Sequence, residues 1–279
     1  MRNAQAHKAL ALRRPATRSR IRPGTSGRPP ELCHHRSVHV SIAQWMVLAA
    51  TVVAASTVQG VVGFGSNLLA VPVVALIVPS ALPGAMVIPG VPMAVAMALA
   101  ERDHVDWRGS RYLVLGRLPG TLVGVGVVAA VSSETLAVLI GVVVLLGVAL
   151  SVVASHLHPG VTPRTATATG VVTGVTGTAA AIDGPPLALL YQHDPPPVFR
   201  ATLATQFAFG AAITLTALVL ARHLHVWQLL LGLSLMPSFF AGLGLSLAIR
   251  PRLARHNLRP VVLTIAALTG VAAIARAVA

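Results

Sequence analysis

Residues 170–192 read GVVTGVTGTAAAIDGPPLALLYQ, and the break inside this stretch decides the fold. As far as Ile182 the stretch is uncharged and rich in small residues. Asp183-Gly184-Pro185-Pro186 then interrupts it, and a second apolar run of only about ten residues follows, over about 184–193. As a helix that run rises about 15 Å, at about 1.5 Å per residue. A hydrocarbon core is about 30 Å thick, so the run cannot cross a bilayer. Lipid satisfies no amide, so a half-length helix at membrane depth must be buried in protein or line a water-filled cavity.

The rest of the chain makes the bilayer the relevant solvent. Of 279 residues, 55% are hydrophobic and only 10% charged, and the mean hydropathy is +0.78. Soluble domains carry about 25% charged residues. Ten apolar runs follow residue 41, each bounded by glycine, proline or charge. The first five cover about 42–63, 66–80, 83–100, 112–131 and 134–155; the second five cover about 165–182, 184–193, 197–221, 226–249 and 260–278. Their length and lack of alternation exclude an outer-membrane barrel and predict an all-α integral membrane protein.

The charge is uneven. Residues 1–36 hold nine Lys and Arg against one acid, in a Pro/Arg/Ser-rich tail with no apolar block. Residues 1–41 are expected to be a disordered basic tail. No apolar core follows its basic residues at signal-peptide spacing, whereas an organelle transit peptide, or a start codon placed upstream of Met46, fits the composition. The pI near 11.9 does not indicate nucleic acid, because much of the excess charge sits in a tail without aromatics to stack on bases. Cys33 is the single cysteine, which excludes an intramolecular disulfide. His156-x-His158 and His223-x-His225 give at most two-ligand sites, so no metal centre and no cofactor are expected.

The two sets of five runs repeat one pattern. Gly60-x-x-Gly63-x-Gly65 and Pro72 recur as Gly174-x-x-Gly177-x-Ala179 and Pro186, each shifted by 114; Trp107 recurs as Trp227, and Pro119 with Gly124-x-Gly126 recurs as Pro237 with Gly242-x-Gly244. This predicts a duplication, with a first membrane repeat over 42–155, a linker over 156–164 and a second repeat over 165–279. In each repeat the first two runs form a broken or re-entrant hairpin, and the two hairpins face each other inside the bundle, as at the central site of a transporter. Arginines concentrate after the third run (Arg102, Arg108, Arg111) and after the ninth (Arg250, Arg252, Arg255, Arg259), which makes both loops cytoplasmic. Each unit then crosses an odd number of times, so the repeats are inverted. The basic tail is placed outside by this count, against its charge.

Asp183 is the sole acid between Glu134 and Asp194 and sits at the break. An intramembrane carboxylate is by default functional, and the alternative is that it caps the short helix. Arg117 and Arg200 are the cations at or near membrane depth. A guanidinium suits bidentate binding of an oxyanion. Against that stand snorkelling to the interface for Arg117, about one and a half turns into its run, and pairing with Asp194 or Asp183 for Arg200. Thr178, Gln206, Asn67 and Gln59 either line a path or bond between helices, and Gly60, Gly63, Gly65, Gly174 and Gly177 either pack helices or approach a ligand. No Gly-Lys-Ser/Thr occurs, which excludes a phosphate-binding loop.

The segment over 170–192, followed by Phe199-Arg200-Ala201-Thr202-Leu203, resembles the TauE/SafE family of sulfite-exporter-like permeases. The first half carries the pattern more loosely, in Gln59-Gly60-x-x-Gly63-x-Gly65 through Pro72. The likeness covers about 42–278. It departs at Thr178-Ala179-Ala180-Ala181, where family members carry further glycines. It implies a duplicated helical fold that moves sulfite, a sulfonate or a related small anion. The expected protein is a secondary transporter in the cell (inner or plasma) membrane, multi-pass, proton-coupled in one version, and not an enzyme. Its partners are a small anionic substrate and the lipid bilayer, with no nucleic acid, and a homo-oligomer is compatible with this. The candidate binding or coupling residues are Asp183, Arg200, Gly184, Pro185, Pro186, Thr178, Gln206, Gly63, Gly65, Asn67 and Arg117. A non-transporting scaffold or assembly factor is the alternative, and a dry interior without a cavity between the hairpins would mark it.

Overall fold

The computed structural model describes residues 40–153, 159–253 and 259–278, which form ten α-helices and, among the described residues, no strand. The first five are α1 (Ile42–Val62), α2 (Ser66–Ile77), α3 (Gly84–Ala100), α4 (Trp107–Ala130) and α5 (Ser133–Val153). The second five are α6 (Pro163–Ala180), α7 (Gly184–Tyr191), α8 (Pro196–Leu220), α9 (Val226–Leu253) and α10 (Arg259–Val278). Six of them (α1, α4, α5, α8, α9 and α10) contain stretches long and apolar enough to cross a membrane. The chain is an all-α membrane protein. The expected tail, up to residue 39, and His156 and His158 lie outside the described residues.

The helices start where side chains supply the missing partners of their first amides. Ser41 and Gln44 form a reciprocal capping box ahead of α1, and Thr162 and Thr165 do the same ahead of α6. α4 begins five residues before the apolar run it corresponds to, because Asp106 accepts a hydrogen bond from the Gly109 amide at 3.0 Å and caps it. Hydropathy passes over those five residues, since Arg108 and Arg111 lie among them.

Both expected breaks are present, and they meet. α1 ends at Gly63 and α2 starts after Gly65, whose φ values of 100° and 110° lie where side chains with a Cβ are strained. The second break makes the same left-handed turn with Ala181 at φ 55°. Asn67 Nδ2 donates to the Ala181 carbonyl at 2.8 Å, tying one break to the other at two positions that are 114 residues apart. α2, at 12 residues, and α7, at 8, are too short to span, and both start at the breaks inside the bundle.

Helix partners are reciprocal between the halves. α1 packs on α9 and α4 on α6; α3 lies against α8 and α5 against α10; α2 touches α10 as α7 touches α5. Numbered run for run, each of these pairings has its counterpart with the halves exchanged.

The α4–α6 contact is made backbone to backbone through glycine. Gly116 and Gly120 of α4 face the Thr167 and Val171 carbonyls, while Gly170 and Gly174 of α6 face those of Leu113 and Arg117. A Cβ on Gly174 would stand 2.5 Å from the Arg117 oxygen. Lipid tails are as apolar as leucine, so such close approach, rather than hydrophobicity, holds membrane helices together. The outward faces carry large apolar side chains such as Leu122, Leu220 and Leu268, suited to lipid contact.

The seam can be tested against a glycine of the same helix. Gly120→Leu should destabilise the purified protein by about 2–3 kcal/mol or more through overpacking. Gly126→Leu should leave stability nearly unchanged, because nothing lies within 4 Å of its Cβ position. Thermal unfolding in detergent compares the two.

Candidate functional site

At the meeting of the two breaks lies a cavity of about 50 Å³. That is room for a few water molecules, each of which needs about 10–15 Å³ on this measure. Gly65, Ser66 and Asn67 line it from the first break, Ile182, Asp183, Gly184 and Pro185 from the second, Arg117 from α4, and Phe207, Ala211 and Thr214 from α8.

Arg117 is the charged group at its centre. It is only 2% exposed, and its Nη1 donates to Asp183 Oδ2 at 3.0 Å. Snorkelling is thereby excluded, for a geometric reason. With α4 starting at Trp107, Arg117 is the eleventh residue of the helix, about 15 Å from its start. Two glycines make space for the guanidinium. A Cβ on Gly177 of α6 would lie 2.7 Å from Nη2, and one on Gly210 of α8 would overlap the guanidinium itself.

Asp183 occupies the cap position of α7, yet its side chain makes no capping hydrogen bond. Little capping is required there, since Pro185 and Pro186 have no amide hydrogen to satisfy. The carboxylate turns instead to Arg117. On the other break Gln59 does the capping: its Oε1 accepts from the Ser66 amide at 3.2 Å and from the Ser66 hydroxyl. A side chain near the end of α1 thus holds the start of α2.

The other candidates divide by place. Gly65, Asn67, Gly184 and Pro185 line the cavity, and Thr178 stands just behind it, fully buried, with its hydroxyl 3.1 Å from that of the lining Thr214 and bonded to Thr121. Pro186 instead lines an apolar cavity between α5, α6 and α7. Gln206 is buried and bonds the Ser110 carbonyl on α4, the interhelical role that was the alternative for it. Gly63 packs beneath Phe199 and Arg200.

Arg200 does not reach the central cavity. Its Nε donates to both oxygens of Glu101 at 3.0 and 3.2 Å, so its carboxylate partner is neither Asp194 nor Asp183. Thr202 accepts from the Asp106 amide at 3.0 Å, and Tyr191 donates to the Asp106 carboxylate at 2.9 Å. The Arg-Ala-Thr segment therefore fastens the start of α8 to the α3–α4 connection, with Ala201 fully buried between the two ties. Ser66, Thr214 and Gly210 were not candidates, because a lone serine, threonine or glycine inside an apolar run carries no signal of its own. Among the described residues no three His, Cys, Asp or Glu side chains cluster as metal ligands would.

Removing one partner of a buried ion pair leaves the other uncompensated. Asp183→Leu should cost about 3–5 kcal/mol. Asp183→Asn, which keeps an acceptor for Arg117, should cost much less, and adding Arg117→Met to Asp183→Leu should recover part of the loss. Thermal unfolding of the three variants checks this order.

Residues 47–273 match the family model described as Sulfite exporter TauE/SafE. No curated protein and no solved structure matches the chain. The family match runs through both breaks and every residue that lines the cavity, on an all-helical membrane fold; the chain belongs to the sulfite exporter TauE/SafE family of membrane permeases.

Proposed function

We propose that the protein is a secondary transporter in the cell membrane that carries a small anion such as sulfite through the cavity between the two breaks. The buried Arg117–Asp183 pair carries this reading. A guanidinium and a carboxylate at membrane depth are costly, and such groups mark substrate or ion pathways. A scaffold would need neither, nor a polar cavity where two half-length helices meet.

In this mechanism Arg117 is the anion's partner. With no anion present, Asp183 occupies the guanidinium. An arriving oxyanion takes Asp183's place, and two negative charges then share a site with one cation. Uptake of a proton by Asp183 restores the balance and links proton movement to transport. The cavity's size favours a compact oxyanion over a sulfonate with a long organic chain. Arg200 acts from a distance, by holding the α3–α4 connection.

Flux of labelled sulfite into proteoliposomes tests both roles. External pH is held constant, so the ionisation of the anion does not change, and only the interior pH is varied. Asp183→Asn should abolish the response to the proton gradient while the protein remains folded. Arg117→Ala should reduce flux at least tenfold. If Asp183→Asn responds as the parent does, the coupling role is wrong; if Arg117→Ala transports normally, the anion site lies elsewhere.

We also propose that residues 42–155 and 165–279 are inverted repeats. The reciprocal helix partners and the Asn67–Ala181 bond between positions 114 apart support a two-fold relation of the halves, and the arginine-rich loops after the third and ninth runs favour an axis in the membrane plane. Inversion puts equivalent loops on opposite sides of the membrane. In a Cys33→Ser background, Asp103→Cys and His223→Cys should react with a membrane-impermeant maleimide from opposite faces. Labelling of both from one face would rule inversion out.

A further inference from the structure

We infer that the anion reaches the central cavity through a second cavity, which opens on the membrane face carrying the α3–α4 connection, and that the ring of Phe64 is the gate between the two. This rests on the central cavity being the anion site and adds the route to it.

The second cavity has a volume of about 250 Å³. Phe64 and Pro185 line its inner end, at the breaks. Gln192, Asp194 and Pro196, where α7 gives way to α8, and Ser151, in the last turn of α5, line its outer end. Two observations put that outer end at a membrane face. Ser151 and Pro196 lie at the ends of helices long enough to span. Tyr191, next to Gln192, donates to the Asp106 carboxylate at the start of α4, so the face is that of the α3–α4 connection. Asp194 is partly exposed at this outer end, where water and salt screen its charge from an arriving anion.

A single layer separates the two cavities. Pro185 lines both, and the Phe64 ring, which lines the second, lies on Gly184, which lines the first. A Cβ on Gly184 would stand 3.0 Å from Phe64 Cδ2, so the ring is seated on bare backbone of the second break. Its hold is modest, an edge-to-face contact with Phe199 at 6.1 Å between centroids. Gly63 and Gly65 on either side, both at positive φ, carry no side chains to fix the tip. The second cavity is the space into which the ring swings.

Thiol accessibility tests the gate without using the anion. In a Cys33→Ser background, Ala211→Cys places a thiol in the wall of the central cavity, on α8. Its rate of reaction with methanethiosulfonate ethylsulfonate, a small membrane-impermeant anion, is measured in vesicles from each face in turn, and labelling of Asp103→Cys identifies the faces. A gate that is closed in most molecules leaves the open form at about a tenth or less. From the face that exposes position 103, Phe64→Ala should therefore raise the rate at least about tenfold. Phe64→Leu, which keeps more of the packing, should raise it by a smaller factor. From the opposite face neither variant should change the rate, which separates an opened gate from a loosened bundle. An unchanged rate in both variants, or an equal rise from both faces, overturns the gate and leaves the anion site standing. Once modified, the introduced thiol should block labelled sulfite flux relative to the same protein before modification. Full flux through the modified protein overturns the anion site, and the gate's part in transport with it.

Discussion

The hydrogen bond between Arg117 and Asp183 is the constraint around which the rest of the bundle is arranged. Two charges withdrawn from water are costly unless they meet in good geometry. Meeting here requires the middle of α4 to come within a side chain's reach of the residues just past the end of α6. The glycines of the α4–α6 seam supply that approach by letting the two backbones touch. Gly177 and Gly210 supply the remaining space, one on each side of the guanidinium. A chain with alanine at these positions would show the same apolar runs and no room for the pair.

The second demand comes from the breaks. Ending a helix inside the membrane exposes amides and carbonyls that lipid cannot satisfy. Each break answers this differently. The first uses two glycines at positive φ and brings Gln59 across to hold Ser66. The second places prolines where amides would be orphaned, and Asn67 from the opposite break takes up the Ala181 carbonyl. Asp183 is thereby released from capping and free to face Arg117. The polar cavity is what remains between the two solutions, and its groups come from both halves of the chain.

The Arg-Ala-Thr segment shows how a motif that suggests ligand chemistry can serve the frame. Arg200 looked like an anion receptor because it is a cation at the start of a membrane helix, close in sequence to the Asp183 break. Glu101, nearly one hundred positions earlier, neutralises it, and Thr202 beside it holds the amide of Asp106. Asp106 in turn caps α4, so this network sets where α4 begins and hence how deep Arg117 lies.

Much was legible in the sequence because bilayer physics is nearly one-dimensional. The thickness of the hydrocarbon core turns run length into a statement about spanning, and so the ten helices, the shortness of α7 and the break at Asp183-Gly184-Pro185-Pro186 could be read from order alone. The same holds for Asp183 as the acid of interest, since a charge is conspicuous where nearly everything else is apolar. Which cation answers it was decided only by tertiary structure. Arg117 and Arg200 are alike as residues, and the choice between them depended on a cap six residues upstream of an apolar run, on a carboxylate just past the end of α3, and on glycines of α6 and α8 that open a slot. Those are contacts between segments far apart in the chain, and hydropathy, which sums over neighbours in sequence, carries no record of them.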